Sequence, residues 1–341
     1  MAGGRHLRIL DLSGYAFTGK AAVIDLMREV RGCAVPSSEF EFALLRCKDG
    51  ILDLEHALVD DWSPIRSSEA ISRFRNLIRV YGGDGGGWAR LTRHGHHYDR
   101  AFPGFTARSL AFVGSLFDHS WRGEWPFAAH WEPRVAIIAR KLAFKLGWRR
   151  AAIYSIYLAA PGRERFMAAT KAYLRDVVGA AAGPADDIVV THNAFEPFDP
   201  TRSMRFFDDA RVIIVDRDPR DVYVAAHRYV DRFGRRGWRA ATTGSVEGFI
   251  DLYRTYRAMV RWQMDDDRVL RLRFESLIMD YHRSVAGILR FIGKTPVDHV
   301  HPRRHFDPAR SAAGIGSWRS FPDRRAIALI QEHLAEFCVQ S

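Results

Sequence analysis

Long apolar runs are absent from this sequence. No segment holds 18 uncharged apolar residues in a row, which is about the length that a membrane-spanning helix needs, so the sequence predicts no transmembrane segment. The apolar run near the N-terminus is interrupted at Asp11 and Ser13, which makes it too short for the core of a signal peptide. We therefore expect a cytoplasmic protein whose first apolar run is a strand.

Cysteine is scarce, and strong metal-ligand patterns are missing. The three cysteines, Cys33, Cys47 and Cys338, are odd in number and include no C-x-x-C pair. This pattern fits a reducing compartment and does not fit a disulfide framework. The histidine-rich stretch "RHGHHYD" (93–99) has no strong ligand spacing and no cysteine beside it. The sequence therefore predicts no metal site there.

The charge is strongly basic, with a formal net charge of +11 spread along the chain rather than gathered in a tail. Such an excess suits nucleic acid, an anionic cofactor, an acidic substrate or a membrane surface, and charge alone does not choose among these. Because 47% of the residues are hydrophobic, the chain can bury a sizeable core, so a disordered chain is excluded.

Short apolar runs alternate with helical patterns along the chain. The runs "LRILDL" (7–12), "DIVVTH" (187–192) and "ARVIIVD" (210–216) suit buried parallel strands. Strands that alternate with helices predict an α/β fold with a central parallel sheet flanked by helices. We expect a single domain over 1–341, with 82–165 as a largely helical and loop-containing insertion that forms the acceptor side. Helices are predicted over 105–121 and 132–148, and most Trp and Phe residues of 112–148 are expected in the core.

A phosphate-binding loop follows the first predicted strand. Gly14 to Lys20 spells G-x-x-x-x-G-K, but the next residue is Ala21, where the Mg²⁺-binding Ser or Thr of such loops is expected. Backbone N–H groups, the dipole of the following helix and the Lys20 ammonium hold a phosphate or sulfate without a metal. Thr18 offers a hydroxyl donor nearby. The loop thus predicts an anion site that has lost its magnesium ligand.

The strand at 210–216 ends in a second charged motif with two interpretations. As an apolar strand ending in Asp216, it resembles the metal-binding strand of ATPases. Alternatively, the informative part is "RDPRD" (217–221), where the guanidinium of Arg217 leaves the strand end and can grip an anion with two hydrogen bonds. The residues alone leave both interpretations open.

The stretch "VIIVDRDPRDVYVAAHRY" (212–229) resembles the signature of sulfotransferases that use 3′-phosphoadenosine 5′-phosphosulfate (PAPS). The resemblance implies that Arg217 binds the 3′-phosphate of the donor. The family usually has a serine eight residues later, also on that phosphate, and here the position is Ala225. One hydrogen bond to the 3′-phosphate is therefore missing or comes from another residue.

Two further stretches resemble the same family. The loop "YAFTGKAAV" (15–23) is similar to the 5′-phosphosulfate loop, with Thr18-Gly19 at the Ser-Gly position and Ala21 at the second Thr. Phe17 stands where the family has a basic residue, and Lys20 supplies the charge. The stretch "DPARSAAGIGSWRSF" (307–321) resembles the C-terminal loop that closes over the cofactor. The resemblance implies these cofactor-binding positions: Phe17, Thr18, Gly19, Lys20, Ala21, Ala22, Arg217, Ala225, Arg310, Ser311 and Trp318.

What the resemblance implies is a P-loop NTPase-like sulfotransferase fold and a metal-independent sulfotransferase. The enzyme would move a sulfuryl group from PAPS to a hydroxyl or amine of a carbohydrate, lipid or small-molecule acceptor, leaving adenosine 3′,5′-bisphosphate (PAP). No nucleic-acid partner is expected, and a homodimer is left open. The alternatives are a P-loop kinase or NTPase that acts on ATP, and a basic binding protein without catalytic activity.

The acceptor must lose a proton as it attacks sulfur, and two residues compete as the base. Glu39 lies beyond the first helix at nearly the distance where glycan and tyrosyl-protein sulfotransferases carry a catalytic glutamate, and Glu41 would share a face with it in an extended segment. His192 ends a predicted strand, as the catalytic histidine of small-molecule sulfotransferases does. Glu39, His192 and Lys20 are the predicted catalytic set.

Overall fold

A computed structural model describes residues 7–36, 41–83, 97–125, 127, 134–147, 153–233, 244–261 and 266–340. The chain divides into two compact units. The first unit contains 1–43 and 181–341, and the second contains 44–180. The predicted insertion over 82–165 falls within the second unit.

The first unit is built on a parallel sheet. Its strands are β1 (Arg8–Gly14), β2 (Cys33–Ala34), β5 (Ile188–His192), β6 (Ala210–Asp216) and β7 (Val269–Arg273), in the order β2-β5-β1-β6-β7. All neighbours in this sheet pair in parallel. This confirms the predicted central parallel sheet. Because β1 lies between β5 and β6, the segments that follow these three strands leave the same edge of the sheet.

Helices flank this sheet. Their bounds are α1 (Lys20–Met27), α8 (Thr201–Met204), α9 (Pro219–Phe233), α10 (Val246–Ala258), α11 (Phe274–Met279), α12 (Tyr281–Phe291), α13 (Pro308–Ala312) and α14 (Arg324–His333). Helix α1 follows the loop predicted to bind phosphate and ends at Met27. One side of α1 joins the core with strands β1, β5 and β6 and with α11 and α12. Each large apolar side chain buried there contributes about 1.5–3 kcal/mol.

The second unit is mostly helical. It contains α2 (Ile51–Glu55), a π-helical turn (His56–Asp60), α3 (Pro64–Gly82), α4 (Tyr98–Ala101), α5 (Phe105–Ser115), α6 (Arg134–Lys145) and α7 (Gly162–Gly179). Its core is rich in aromatic rings; those of Phe112 and Tyr173 stack with their centroids 4.4 Å apart. None of the helices in the described part of the chain could cross a membrane.

A two-stranded antiparallel sheet in the second unit corrects part of the sequence interpretation. The helix predicted over 105–121 ends at Ser115, and β3 (His119–Glu124) follows and pairs with β4 (Ile153–Leu158). The expected burial of the aromatic residues is also wrong in part, because Trp121 and Phe144 are half exposed. The pattern "HSWRGE" is polar and exposed on most positions, so no apolar alternation marks it as a strand.

Candidate functional site

The turn between β1 and α1 contains the loop that the sequence predicts to bind phosphate. Gly19 precedes the helix with a φ of 89°, a left-handed conformation that favours glycine. A Cβ on Gly19 would also lie 2.4 Å from a ring carbon of Phe274, so no side chain fits there. Phe17 has a φ of 62°, which is uncommon for a residue other than glycine and often accompanies a functional site.

Lys20 folds back over this loop. Its Nζ donates to the carbonyl oxygen of Gly14 at 3.1 Å and to Oδ1 of Asn193 at 2.7 Å. The hydroxyl of Thr18 is buried and donates to the carbonyl of Tyr15 at 2.8 Å. The first N–H groups of α1 have no acceptor within the helix and carry its positive dipole end. The loop therefore concentrates positive potential at the N-terminus of α1.

Arg217 reaches the same loop from the end of β6. Its guanidinium donates to the carbonyl of Phe17 at 3.2 Å and to that of Gly314, and it lies 4.8 Å over the ring of Phe274. Burial lowers the pKa of Arg217 from its usual value. Its Nε is buried, and among the residues that the structure describes it has no hydrogen-bond partner. Arg217 thus keeps one buried donor that fits an anion.

Asp221, at the end of the "RDPRD" motif, holds the C-terminal loop. Its carboxylate accepts from the N–H of Gly316 at 2.7 Å, the hydroxyl of Ser317 at 2.8 Å and the N–H of Trp318 at 3.1 Å. Asp221 is buried. The contact of Arg217 with Gly314 adds a second tie. The phosphate loop, the motif after β6 and the loop over 314–318 therefore lie together.

The carboxylate of Asp216, the last residue of β6, accepts hydrogen bonds from two arginines. Arg257 donates to both of its oxygens, and Arg271 donates to one of them. Burial acts to raise the pKa of Asp216, but the two guanidinium groups outweigh it and the pKa is lowered. The guanidinium of Arg257 also lies 4.0 Å over the ring of Tyr15, a residue of the phosphate loop. The cluster therefore contacts the phosphate loop through Arg257.

The remaining predicted cofactor positions differ in placement. Ala21 is exposed, while Ala22 and Ala225 are half-buried and offer no side-chain hydrogen bond. Arg310 is exposed at the last turn of α13, and Ser311 beside it is half-buried. Trp318 is half-buried, and the guanidinium of Arg220 lies 4.0 Å over its ring. By contrast, the side chains of Lys20 and Arg217 donate hydrogen bonds to carbonyls of the phosphate loop.

Of the two predicted bases, only His192 falls within the described residues; Glu39 lies outside them. His192 ends β5 beside Leu12 of β1, and both of its ring nitrogens are buried. Glu41, two residues after Glu39, accepts from the side-chain amide of Asn193 at 2.7 Å. A chain of polar contacts thus runs from Glu41 through Asn193 to Lys20.

Sequence reasoning missed several side chains of this site. Asn193 bridges Lys20 and Glu41, and its φ of 52° is one that asparagine adopts more readily than most residues. Arg228 is a further cation on α9, and its positive charge is a minor cause of the lowered pKa of Arg217. It is exposed and stands one turn beyond Ala225 on α9, so the i,i+3 spacing from the alanine was a signal that could have found it.

Comparison with known proteins decides the family. A model described as the sulfotransferase family matches residues 126–298, just over half of the 341-residue chain. The chain belongs to the sulfotransferase family. The general activity of that family is sulfuryl transfer, so this sulfotransferase is a transferase. The matched segment contains Arg217 but not the phosphate loop or the loop over 314–318, whose place in the site comes from the structure.

Solved structures that resemble this chain lead to no conclusion beyond membership of the family. The sulfotransferase domain of the Synechococcus PCC 7002 olefin synthase is 15% identical, with 98% of this chain and 97% of that one covered and a TM-score of 0.40. The sulfotransferase domain of the curacin biosynthetic pathway is 12% identical, with 97% and 99% covered and a TM-score of 0.37.

Retinol dehydratase in complex with androsterone and the inactive cofactor PAP is 14% identical, with 99% and 84% covered and a TM-score of 0.34. TM-scores this low carry no conclusion about the present sulfotransferase. No curated protein matches the chain.

Proposed function

We propose that this sulfotransferase uses PAPS as its donor and transfers the sulfuryl group to a hydroxyl or amine without a metal ion. One observation carries the proposal: Lys20 and Arg217 both donate to carbonyls of a single phosphate-type loop, and Arg217 keeps a buried Nε without a partner among the described residues. Two cations on one loop suit a nucleotide that carries phosphate groups at two positions.

The residues divide between the two ends of such a donor. The N–H groups at the start of α1 and the ammonium of Lys20 would hold the 5′-phosphosulfate. Arg217 would bind the 3′-phosphate, and Arg228 would supply the contact that Ala225 cannot make. A guanidinium suits this role because its fixed donors match phosphate oxygens. The loop over 314–318, tied down by Asp221, would cover the donor.

Bound there, the donor supplies an activated sulfuryl group whose leaving group is a phosphate oxygen. The chain's part is to stabilise the negative charge that develops on that oxygen. Lys20 and the N–H groups of the loop are held in place before the reaction, which is the condition for effective electrostatic stabilisation. Asn193 fixes Lys20 through its side-chain oxygen and so orients the ammonium.

Glu39 is our preferred base, and His192 is the alternative. Glu41 is hydrogen-bonded to Asn193, which in turn accepts from Lys20. This contact supports a role for the neighbouring segment around Glu39 in the donor site. The acceptor is a carbohydrate, lipid or small-molecule hydroxyl or amine; the sequence assigns its binding to 82–165, and that assignment stays a prediction.

A kinase or NTPase is the less favoured function. Ala21 has no hydroxyl for Mg²⁺. Asp216, the residue that would play the metal-binding role at the end of the strand, is instead bound by Arg257 and Arg271. A basic binding protein without activity remains compatible with the charge of +11, but it gives no reason for cations on a phosphate-type loop.

An activity assay tests the proposal. The purified protein is incubated with PAPS in the presence of EDTA and a panel of phenol, sugar, lipid and amine acceptors, and both PAP release and the mass of the acceptor are followed. We expect acceptor-dependent PAP release with a matching sulfated product. Turnover of ATP in a parallel reaction with Mg²⁺ and without EDTA, together with no PAP released from PAPS with any acceptor, would assign the protein to the kinase class instead.

A further inference from the structure

Helix α6 (Arg134–Lys145) of the second unit has an exposed apolar face. Val135, Ile138, Leu142 and Leu146 follow one another at helical spacing, and their exposures are 77%, 56%, 57% and 77%. None of the residues of α6 is buried. Large apolar side chains in such a row are unusual on a monomer surface and mark an interaction site.

The charges of this helix are of one sign. Arg134, Arg140, Lys141 and Lys145 lie on it, and 134–147 contains no acidic residue. Arg134, Lys141 and Lys145 flank one side of the apolar row on the helical wheel, and all three are exposed. Arg140 lies on the other side, with its guanidinium 5.5 Å over the ring of Tyr154 of β4. The helix is therefore attached through β4 and leaves its apolar row outward.

We propose that α6 binds the surface of an anionic lipid bilayer, with its apolar row in the boundary between headgroups and acyl chains. An amphipathic helix with basic residues beside its apolar face lies in the plane of such an interface. Long basic side chains keep their charges at the headgroups while their stems cover apolar surface. Trp121 of β3 is half exposed and lies on the same face of the two-stranded sheet as Ile156 and Tyr154. Tryptophan favours the boundary between headgroups and acyl chains.

The charge disfavours a second copy of this chain as the occupant. A symmetric contact places the same patch on both partners, so the three positive charges beside the apolar row would face the same three on the other copy. An anionic bilayer instead complements the charge and accepts an extended apolar row. Each basic residue close to an anionic membrane surface strengthens binding by about fivefold. The interaction does not depend on the donor site, which lies in the first unit.

The test is cosedimentation of the full-length protein with large vesicles, of phosphatidylcholine alone or mixed with phosphatidylglycerol. We expect binding to the mixed vesicles only, weakened by added salt. The double variant Lys141→Gln, Lys145→Gln should lose roughly 25-fold in partitioning. The double variant Leu142→Ser, Leu146→Ser should lose at least roughly tenfold, because both side chains would otherwise enter the bilayer.

Matched controls separate this helix from the overall positive charge. Arg283→Gln with Arg325→Gln removes two exposed charges elsewhere, and Met279→Ser with Val297→Ser removes two apolar side chains that are each 77% exposed. Both controls should bind vesicles like the wild type.

Equal losses in the controls and the helix variants would overturn the proposal, as would a wild type that does not bind mixed vesicles. A dimer by ultracentrifugation that only the helix variants dissociate, without vesicle binding, would assign the face to self-association. Unchanged melting temperatures and PAP binding would show that the variants are folded.

Discussion

We proposed that Arg217 binds the 3′-phosphate of the donor and that Arg228 adds a contact to it. The first is buried and hydrogen-bonded to the carbonyls of Phe17 and Gly314. The second is exposed on α9 and acts on Arg217 through its charge. Like charges repel, so a bound phosphate that accepts hydrogen bonds from these side chains would also offset the repulsion between them.

We predict that Arg228→Ala weakens PAP binding roughly tenfold, which is the loss of one hydrogen bond to a charged group. Binding of adenosine 5′-phosphosulfate, which lacks the 3′-phosphate, should not change. Calorimetric titration of both ligands measures the two effects. Arg283→Ala, at an exposed position on α12, is the control. An equal loss for both ligands would remove Arg228 from the 3′-phosphate.

The identity of the catalytic base gives a second prediction about single residues. Glu39→Gln should lower kcat by roughly 10²–10⁴-fold while PAP binding persists, because a positioned base acts on the acceptor proton and not on the donor. His192→Gln should reduce kcat much less. Steady-state kinetics with saturating PAPS compares the two variants. A large loss in His192→Gln with an active Glu39→Gln would reverse the assignment.

At the scale of elements, the site depends on how Asp221 anchors the loop over 314–318. We predict that Asp221→Ala destabilises the protein by roughly 2–3 kcal/mol, because donors of Gly316, Ser317 and Trp318 lose a buried acceptor. Hydrogen exchange at 314–318 should rise. Asp323→Ala, which removes only the cap of α14, should cost about 1 kcal/mol and leave that exchange unchanged. If both variants behave alike, Asp221 is no anchor of the loop.

The cluster of the buried Asp216 with the half-buried Arg257 and the exposed Arg271 predicts acid sensitivity. The pKa of Asp216 is lower in the folded protein than its usual value of about 3.9. Its stabilising contribution is therefore complete above the unfolded pKa and is lost as the pH falls through the folded one. The free energy of unfolding, measured by denaturant titration, should decrease as the pH falls below about 4.

Asp216→Asn tests this cluster directly. At neutral pH the variant should lose roughly 3–5 kcal/mol, because the half-buried Arg257 loses its charged partner; the exposed Arg271 contributes little. Below about pH 4 its stability should depend less on pH than that of the wild type. Asp209→Asn, which breaks a more exposed pair with Arg8, should have a smaller effect at neutral pH. An equally steep acid dependence in Asp216→Asn would contradict the account.

How far the sequence predicts these elements depends on what each pattern encodes. Strands β1, β5 and β6 were predictable because buried parallel strands are continuous apolar runs that end in charged or glycine-containing turns. Lys20 and Arg217 were predictable because each follows such a strand. The two-stranded sheet of β3 and β4 was missed because its first strand is exposed and polar. Asn193 was missed because its role arises from contacts far apart in the sequence. The loop that contains Gly314 was predicted, but its contact with Arg217 was not.

At the scale of the whole molecule, the basic charge has two proposed uses in separate units. In the first unit it serves a donor site built from the phosphate loop and from the motif after β6. In the second unit it lies beside the apolar row of α6. A charge of +11 alone could not distinguish these uses from nucleic-acid binding. The family match makes sulfuryl transfer the general activity, and the donor is the part that needs measurement.

The most direct measurement is the dissociation constant of PAP, determined by calorimetry in EDTA for the wild type, Lys20→Ala and Arg217→Ala. Circular dichroism and melting of the free proteins check that the variants are folded. We predict tight binding to the wild type without a divalent ion, and a loss of at least roughly tenfold in each variant. Wild-type affinity in both variants, or binding that requires Mg²⁺, would contradict a donor site made of these two cations.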